Sequence, residues 1–470
     1  MSRAVLLRAF AFLSVVGFAP PLCSLQSQTL APELRAAIDQ AAQGVLERTG
    51  TPSLSIAVVK DGAVAYTAAY GSAKLDPKTP ATPAMRYSIG SNSKQFTATA
   101  ILMLAEQGKL SLDDKVSKWF PGLTRAAEIT LRQVLTMTSG YQDFWPQDYL
   151  MPNMMKPVTG PEILDQWAKK PLDFEPGTKW QYSNTNYTLA GQIIEKVSGE
   201  KLYAFLQRTV FTPLGMTTVY DVDKGPLPAA DPVGYMRFAL GSLRPAPKEG
   251  SGWLDAAGEL AMTPADLARW DLAMMRQKLL KPESYRQQQT TMLLTSGVAT
   301  GYGLGLSVGL QDGHRLLSHG GEVMGFSTSN NIFPDDGVAI AVFTNQDATG
   351  ASGALAGEIA RVLFRANEAE TSAATARARE IFLKLEHGEI DRTQFTSNAN
   401  SYFSEVALRD FASSLSSCGV PSAFIAQRRS ERGGMIGRSW RVRCGSRDLR
   451  VWTFELPDGK LEQYQVALME

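Results

Sequence analysis

In the first three quarters of the chain, strand-like runs form two groups, one near the beginning of this region and one near its end. Ser53 to Lys60 and Ala63 to Ala69 flank Asp61-Gly62, a dipeptide that favours a tight hairpin turn. Further strand-like runs lie between residues 303 and 345. The segment from Phe96 to about Ala273 is mainly helical and loop-like in its pattern. This distribution predicts an α/β sheet domain with a helical insertion, and clefts usually lie between such lobes.

The composition changes after Leu363, and this predicts a second unit. Ala366 to Lys384 is rich in Ala, Glu and Arg and favours a helix. Thr393 to Leu415 has a helical pattern, and Pro457-Asp458-Gly459 is a hairpin signal. Strand-like runs are Phe424–Arg429, Gly437–Cys444, Leu449–Leu456 and Lys460–Leu468. We predict a small C-terminal α+β domain of unknown role over residues 370–470. Its arginines alternate with apolar residues, which favours the solvated face of a sheet over an anion-binding surface.

The candidate chemistry begins at Ser91-Asn92-Ser93-Lys94, where a strand-like run passes through Gly90 into a predicted amphipathic helix. A lysine three residues after a serine lies on the same helix face and can reach its hydroxyl. The unpaired N–H groups at a helix N-terminus favour an oxyanion and disfavour the charged form of a nearby lysine. A lysine with a lowered pKa can act as a base at neutral pH. The segment therefore predicts an activated serine nucleophile.

Spacing alone is weak evidence, because an isolated S-x-x-K is usually a solvated serine and a surface lysine. Ser198 and Lys201 have the same spacing, but they follow the apolar run Leu189 to Val197 and flank Gly199. That copy predicts a helix end and a turn.

Polar residues downstream support the first copy. Tyr182 and Asn184 follow a turn-forming stretch, and a tyrosine hydroxyl near a lysine can relay a proton. His319-Gly320-Gly321 closes another strand-like run, where two glycines allow a ligand to approach the backbone. The alternatives are a loop tyrosine, an Asx-turn and a packed strand histidine.

These motifs, in this order, resemble those of the serine β-lactamase and penicillin-binding-protein superfamily. The nearest branch holds class C β-lactamases, D-alanyl-D-alanine carboxypeptidases, D-aminopeptidases and β-lactamase-like esterases. The resemblance covers residues 30–365 and implies an antiparallel sheet flanked by helices with a mainly helical lobe. It also includes Leu135-Thr136-Met137-Thr138-Ser139-Gly140, Ala257-Gly258-Glu259-Leu260 before Thr263-Pro264-Ala265-Asp266-Leu267, and Tyr302-Gly303-Leu304-Gly305.

The resemblance implies a mechanism in which Ser91 attacks a carbonyl while Lys94 and Tyr182 remove its proton. Backbone N–H groups of Ser91 and Glu322 would hold the oxyanion. Tyr182 would then protonate the leaving group and activate the deacylating water.

The remaining residues would bind substrate. His319 would anchor a substrate carboxylate or polarise the site, Asn184 would orient substrate and lysine, and Gly320 and Gly321 would border the ligand. His319 stands where classical β-lactamases carry lysine, which lowers the expectation of β-lactam hydrolysis. Met137 replaces a histidine common in the superfamily, which we expect to alter packing near the cleft.

The sequence gives little support to other catalytic motifs, metal sites or cofactor-binding loops. Gly305-Leu306-Ser307-Val308-Gly309 fits the nucleophile-elbow spacing, but its surroundings predict a hairpin instead of a strand–turn–helix. Only three histidines occur, without a zinc-binding spacing, and there is neither a phosphate-binding loop nor a dinucleotide fingerprint. We therefore expect no cofactor. A formal net charge of +1 gives no overall field to recruit nucleic acid.

Residues 1–24 predict a secretory signal peptide, because a basic start precedes an apolar run of about a dozen residues. A mitochondrial transit peptide is the alternative. We expect an exported protein, periplasmic or extracellular, with no membrane span after signal removal. Cys23 lacks the preceding small residue of a lipoprotein site. Cys418 and Cys444 either pair, adding about 3 kcal/mol by constraining the unfolded chain, or remain free buried thiols.

The sequence thus favours a serine hydrolase that acts through an acyl-enzyme on a peptide, amide or ester, with a D-amino-acid peptide slightly favoured. A carboxylesterase or weak β-lactamase is an alternative. A different class, a non-catalytic sensor of cell-wall fragments, is disfavoured because Ser91, Lys94 and Tyr182 are all present.

Overall fold

The computed structural model describes residues 30–364 and 368–469. The predicted signal peptide, residues 1–24, lies outside these ranges. Within them, no helix is both long enough and apolar enough to cross a bilayer.

The largest sheet has seven strands in the order β3-β2-β1-β12-β11-β10-β9, and all its neighbouring strands pair antiparallel. The strands of the chain are β1 Ser53–Lys60, β2 Ala63–Leu75, β3 Lys78–Pro80, β4 Tyr87–Ser88, β5 Tyr220–Asp221, β6 Tyr235–Met236, β7 Arg244–Pro245, β8 Leu260–Met262, β9 Ser307–Gln311, β10 His314–Val323, β11 Phe326–Phe333, β12 Val338–Thr344, β13 Ala423–Arg432, β14 Met435–Cys444, β15 Arg447–Glu455 and β16 Leu461–Leu468.

Helices from α1 to α11 cover both faces of this sheet and form the lobe beside it, and α12 to α14 belong to the C-terminal segment. All fourteen helices of the described residues follow. They are α1 Pro32–Thr49, α2 Lys94–Glu106, α3 Leu131–Leu135, α4 Gly160–Ile163, α5 Asn184–Ser198, α6 Leu202–Leu206, α7 Thr212–Leu214, α8 Asp255–Gly258, α9 Pro264–Met275, α10 Pro282–Gln288, α11 Ala351–Phe364, α12 Glu368–Glu386, α13 Ser397–Tyr402 and α14 Glu405–Leu415. Short 3₁₀ turns occur at Gly90–Ser93, Val116–Lys118, Pro152–Met155, Val222–Lys224 and Arg392–Gln394, and π turns at Leu164–Ala168 and Gln207–Phe211.

The alternation of side chains along β1 divides the core into two layers. Ile56 and Val58 pack with α1 and α11 on one face, whereas Ala57 and Val59 join the larger cluster under α2, α5 and α9 on the other. This two-sided burial follows from the period of two in a strand, which sends successive side chains to opposite faces. Together these layers form the α/β fold expected from the sequence.

The sequence-predicted hairpins are confirmed, with different bounds. The first hairpin turns at Asp61-Gly62 but its second strand runs on to Leu75. Ser307 opens β9, which pairs with β10, so the nucleophile-elbow spacing is indeed part of a hairpin. Ser198 ends α5, and Gly199 follows with a left-handed φ of 76°, as expected of a helix end.

The prediction of an amphipathic helix after Ser91 was wrong. Every residue of α2 from Lys94 to Leu104 is buried. Its polar side chains are buried because they have partners: Thr97 donates to the Ala256 carbonyl oxygen at 2.7 Å, and Gln95 accepts from the Trp270 indole N–H at 3.0 Å. Because neighbouring residues surround α2, its first turn is held in place. The candidate site lies at this first turn.

The C-terminal segment has its own four-stranded antiparallel sheet, β13-β14-β15-β16, with α12 to α14. The predicted helix over Thr393 to Leu415 is divided in two, because Phe403 and Ser404 leave helical geometry between α13 and α14. A disulfide joins Cys418 to Cys444. The hydrophobic cluster of this segment draws its described members from residues beyond Phe364 alone.

Candidate active site

Ser91 lies in the 3₁₀ turn Gly90–Ser93, which joins β4 to α2. Residues 92–100 are buried, whereas Ser91 is only half-buried. The turn begins at Gly90 with a φ of +50°, a left-handed conformation that glycine adopts without steric cost. The serine side chain is therefore the accessible group on an otherwise enclosed segment.

Two glycines let the Ser91 turn contact β10 backbone to backbone. A Cβ at Gly90 would lie 2.8 Å from the Glu322 nitrogen, and one at Gly321 would lie 1.9 Å from the Ile89 carbonyl oxygen. Thr328 on β11 donates its hydroxyl to that same oxygen at 3.0 Å. The sequence predicted that Gly320 and Gly321 follow a strand and leave room for a ligand. Instead both of these glycines lie within β10, and the absence of a side chain at Gly321 leaves room for the Ile89 backbone.

Lys94, the first residue of α2, has three oxygen partners. Its Nζ lies 3.0 Å from Ser91 Oγ, 2.8 Å from Asn184 Oδ1 and 2.8 Å from the Ala257 carbonyl oxygen. These three partners use the three N–H bonds of an ammonium group. The sequence-predicted pair of serine and lysine is thus in hydrogen-bond contact.

Burial lowers the pKa of Lys94 to about 7, and the nearby negative charge of Asp143 acts in the opposite direction. The Lys94 Nζ also lies 5.0 Å from the centre of the Tyr182 ring and 5.5 Å from that of Tyr187. A buried lysine with this pKa is uncharged in about half of the molecules at neutral pH.

Tyr182 lines the same cavity as Ser91. Burial raises its pKa, the hydrogen bond with the Ser91 side chain lowers it, and the charge of Asp143 raises it again. The raised pKa keeps the phenol protonated at neutral pH. Tyr182 can therefore donate a proton near Ser91.

Asn184 begins α5 and connects Lys94 to Asp143. Its Oδ1 accepts from Lys94, while its backbone N–H donates to Asp143 Oδ1 at 2.9 Å and its Nδ2 donates to the same oxygen at 3.2 Å. Asp143 thus satisfies an unpaired N–H at the start of α5 and fixes the amide orientation of Asn184. Sequence reasoning missed Asp143, because no motif in the sequence links the loop of Asp143 to the start of α5.

His319 is buried in β10, and both its ring nitrogens have partners. Nε2 lies 2.9 Å from the Tyr302 hydroxyl, and Nδ1 lies 2.5 Å from the Gly320 carbonyl oxygen. Burial, followed by the charge of Lys94, lowers the pKa of His319 to about 4. Tyr302 is a site residue that sequence reasoning recognised only as a superfamily landmark.

Met137 contacts the segment that carries Tyr182. Its carbonyl oxygen accepts from Gln181 N–H at 3.0 Å, and its sulfur lies 3.4 Å from the Ser183 nitrogen. Met137 adopts a left-handed φ of 62°. The structure therefore places this residue beside the cleft, where the sequence predicted altered packing.

The cavity at Ser91 has a volume of about 810 Å³. Tyr182, Asn184, His319, Gly320, Gly321 and Glu322 all line it. The structure thus brings every sequence-predicted site residue to one cavity or to the buried lysine beneath it. Within residues 30–364 and 368–469, no cluster of three His, Cys, Asp or Glu side chains could hold a metal ion.

Comparison with known proteins assigns the family. The family model described as Beta-lactamase matches residues 38–363, which is more than half of the chain. The chain belongs to this family and so to the superfamily of serine β-lactamases and penicillin-binding proteins, whose members are serine hydrolases.

Three individual proteins are also similar to the chain. Penicillin-binding protein 4* of Bacillus subtilis is 29% identical over 308 residues, which are 62% of this chain and 68% of that protein. A D-stereospecific amidohydrolase from Streptomyces sp. is 28% identical with a TM-score of 0.61, covering 68% of this chain and 96% of the other. A penicillin-binding protein homologue from Pyrococcus abyssi is 20% identical with a TM-score of 0.62 and covers 92% of this chain and 99% of the other. That last likeness concerns the fold alone, and it extends into the C-terminal segment.

Proposed function

We propose that the protein is a serine hydrolase that forms a covalent acyl-enzyme at Ser91, with an amide or peptide of a D-amino acid as the favoured substrate. The observation that carries the proposal is the contact between Ser91 Oγ and a buried Lys94 whose pKa is about 7. The similarity to an amidohydrolase described as D-stereospecific supports the substrate class.

The first step is proton transfer from Ser91 to Lys94. In the neutral amine, two N–H bonds donate to Asn184 Oδ1 and the Ala257 carbonyl oxygen, which can only accept. The lone pair then faces the Ser91 hydroxyl. As Ser91 Oγ bonds to the substrate carbonyl carbon, its proton passes to Lys94.

Charge that develops on the carbonyl oxygen needs N–H donors. The Ser91 N–H lies in the turn that leads into the buried helix α2, and the Glu322 nitrogen lies beside Gly90. These two groups are the proposed oxyanion hole. Tyr182 donates a proton to the leaving nitrogen as its bond to carbon breaks. Water then attacks the ester carbonyl carbon and gives its proton to the Tyr182 phenolate, and Ser91 Oγ leaves with the proton that Lys94 holds. We further propose that the enzyme is exported, as residues 1–24 predict.

Covalent labelling with a fluorophosphonate probe tests the proposal. Wild-type protein should be labelled at Ser91, and Ser91→Ala should abolish labelling. Ser307→Ala is the matched control, because Ser307 opens β9 in the hairpin with β10, and it should label normally. Labelling that persists in Ser91→Ala and disappears in Ser307→Ala would refute the assignment.

A further inference from the structure

Met137 is bound to both chain neighbours of Tyr182. Its carbonyl oxygen accepts from the Gln181 N–H at 3.0 Å, and its sulfur accepts from the Ser183 N–H at 3.4 Å. Tyr182 itself belongs to no helix or strand, so no regular ladder of backbone hydrogen bonds fixes it. The backbone on either side of the phenol is therefore held by one residue.

The same sulfur also contacts the first turn of α5. Asn186 Nδ2 lies 3.6 Å from the sulfur, and Asn186 Oδ1 accepts from the Ser139 hydroxyl at 2.6 Å. Because that hydroxyl binds the amide oxygen, the amide N–H faces the sulfur. A thioether sulfur is a weak acceptor, yet two donors of buried residues converge on it here. The side chain of Met137 thus joins the Tyr182 segment to the helix that carries Asn184.

The backbone of Met137 is unusual at this point. Its φ of 62° lies in the left-handed region, which residues other than glycine adopt rarely. Such a conformation persists where the surrounding contacts require it, and it is common at active sites. With this backbone, the carbonyl oxygen and the side chain of one residue reach both sides of Tyr182.

We propose that Met137 is a positioning residue for Tyr182 and holds the phenol against Ser91 Oγ, so that the phenol proton reaches the leaving group. The inference rests on the proposed hydrolase function and adds a residue to its acid–base step. Met137 acts through Tyr182, since it is fully buried and is not among the described residues that line the cavity. A displacement of about 1 Å in a reacting group can slow a reaction about 100-fold.

The effect of Met137 should depend on the leaving group. When an amide is cleaved, the carbon–nitrogen bond breaks as the nitrogen takes the Tyr182 proton, and the Ser91 proton has passed to Lys94. When a p-nitrophenyl ester is cleaved, the carbon–oxygen bond breaks and its electron pair leaves on p-nitrophenolate, which needs no proton. A displaced phenol should therefore slow the cleavage of the amide and spare that of the ester.

Two substrates with the same acyl group test this inference: D-alanine p-nitroanilide and D-alanine p-nitrophenyl ester. Met137→Leu nearly keeps the volume of the side chain and removes the acceptor. Its kcat/KM should fall about tenfold for the anilide, since a misplaced general acid loses part of its ~100- to 10,000-fold contribution, and should change little for the ester. Met137→Gln supplies an amide oxygen at a similar reach and should restore the anilide rate.

Met216→Leu is the matched control. Met216 is buried in the same hydrophobic cluster, but within the described residues its sulfur forms no hydrogen bond. Both rates should stay unchanged in this variant. The inference would be overturned by equal losses for the two substrates in Met137→Leu, by no loss for either, by a Met137→Gln enzyme that behaves as Met137→Leu does, or by the same selective loss in Met216→Leu.

If Met137→Leu does not fold, replacement of every methionine by norleucine decides the question, because norleucine exchanges only the sulfur for a methylene group. The wild-type and Met137→Gln chains then carry the same change at all other methionines. The wild-type chain should have the lower ratio of anilide to ester rate, and equal ratios would overturn the inference. Absence of Ser91-dependent fluorophosphonate labelling in the unmodified protein would instead overturn the proposed hydrolase function, so the two failures are distinguishable.

Discussion

The Tyr302 hydroxyl lies 2.9 Å from His319 Nε2, and the protonation of the histidine fixes the direction of this hydrogen bond. The other ring nitrogen lies 2.5 Å from the Gly320 carbonyl oxygen, which can only accept a hydrogen bond. Nδ1 therefore carries the proton. Since the pKa of His319 is lowered to about 4, the ring is neutral at pH 7, and Nε2 accepts from Tyr302.

This arrangement predicts the tautomer of His319. In ¹⁵N NMR at pH 6–8, Nδ1 should be protonated and Nε2 unprotonated, with no change of charge across that range. Tyr302→Phe removes the donor to Nε2 but keeps the Gly320 carbonyl oxygen beside Nδ1, so the same tautomer should persist. A His319 ring that titrates between pH 6 and 7 in the wild type would contradict the prediction. For His319 to bind a substrate carboxylate, as the sequence suggested, the ring would have to exchange one of its two partners.

The pKa of Lys94 predicts the acidic limb of the pH–rate profile. Its value of about 7 means that the fraction of neutral amine falls about tenfold for each pH unit below 7. The ratio kcat/KM should therefore rise with pH up to about 7 and level off above it. Lys94→Met should lose roughly 100- to 10,000-fold in turnover, as expected for removal of a general base.

Asp143→Asn checks the electrostatic cause of that pKa. The charge of Asp143 raises the pKa of Lys94, so removing it should move the acidic limb to lower pH. Asparagine keeps a side-chain oxygen that can accept from Asn184. A limb that moves to higher pH would show that the direction assigned to Asp143 is wrong.

Gly321→Ala should destabilise the fold, because its Cβ would lie 1.9 Å from the Ile89 carbonyl oxygen, a backbone atom that cannot move aside alone. Overpacking of this kind typically costs ~1–3 kcal/mol. Gly320→Ala is the matched control, since its Cβ would lie 3.8 Å from the Thr328 carbonyl oxygen. Thermal unfolding should show a clear loss of Tm for Gly321→Ala and a small change for Gly320→Ala; equal losses would contradict the close-approach argument.

The sequence predicted the strands and the serine–lysine pair well because both depend on local spacing. The hairpin at Asp61-Gly62 follows from its dipeptide, and the contact of Lys94 with Ser91 follows from three residues of helical rise. The partners that complete the site could not be predicted in this way. Asp143 reaches Asn184 across 41 residues, and the Ala257 carbonyl reaches Lys94 across 163. The burial of α2 from Lys94 to Leu104 likewise depends on tertiary neighbours and not on its own periodicity.

Asp271 offers a test of a buried pair beneath the sheet. Asn330 Nδ2 donates to Asp271 Oδ1 at 2.9 Å, while Asp271 Oδ2 and Asn330 Oδ1 have no other partner among the described residues. Burial raises the pKa of Asp271 well above its usual value. A protonated carboxyl can donate from Oδ2 to Asn330 Oδ1, which would satisfy both atoms.

The folded protein then binds a proton that the unfolded chain releases near pH 4, so Asp271 makes stability fall as pH rises from about 4 towards the folded pKa. Asp271→Asn removes this dependence. Its free energy of unfolding, measured in urea, should gain on that of the wild type between pH 5 and pH 8. A constant difference between the two proteins across this range would show that Asp271 is ionised in the folded state.

The C-terminal segment provides the last prediction, which is that residues 370–470 are dispensable for acylation. The residues proposed to act at Ser91 lie between Ser91 and Glu322, and the C-terminal hydrophobic cluster draws its described members from beyond Phe364. The Streptomyces amidohydrolase matches 68% of this chain but 96% of its own. Separate cores of this kind can fold as independent domains.

A shortened chain that ends at Arg365 should fold and be labelled at Ser91 at a rate similar to that of the full chain. It retains Phe364, whose ring stacks on His314 at 3.9 Å between centres, so the end of α11 keeps its packing. Circular dichroism and a cooperative thermal transition would establish that it is folded. If the shortened protein is folded but is not labelled, the C-terminal segment must complete or cover the cleft, and the division of the chain into a catalytic domain and a separate accessory domain is wrong.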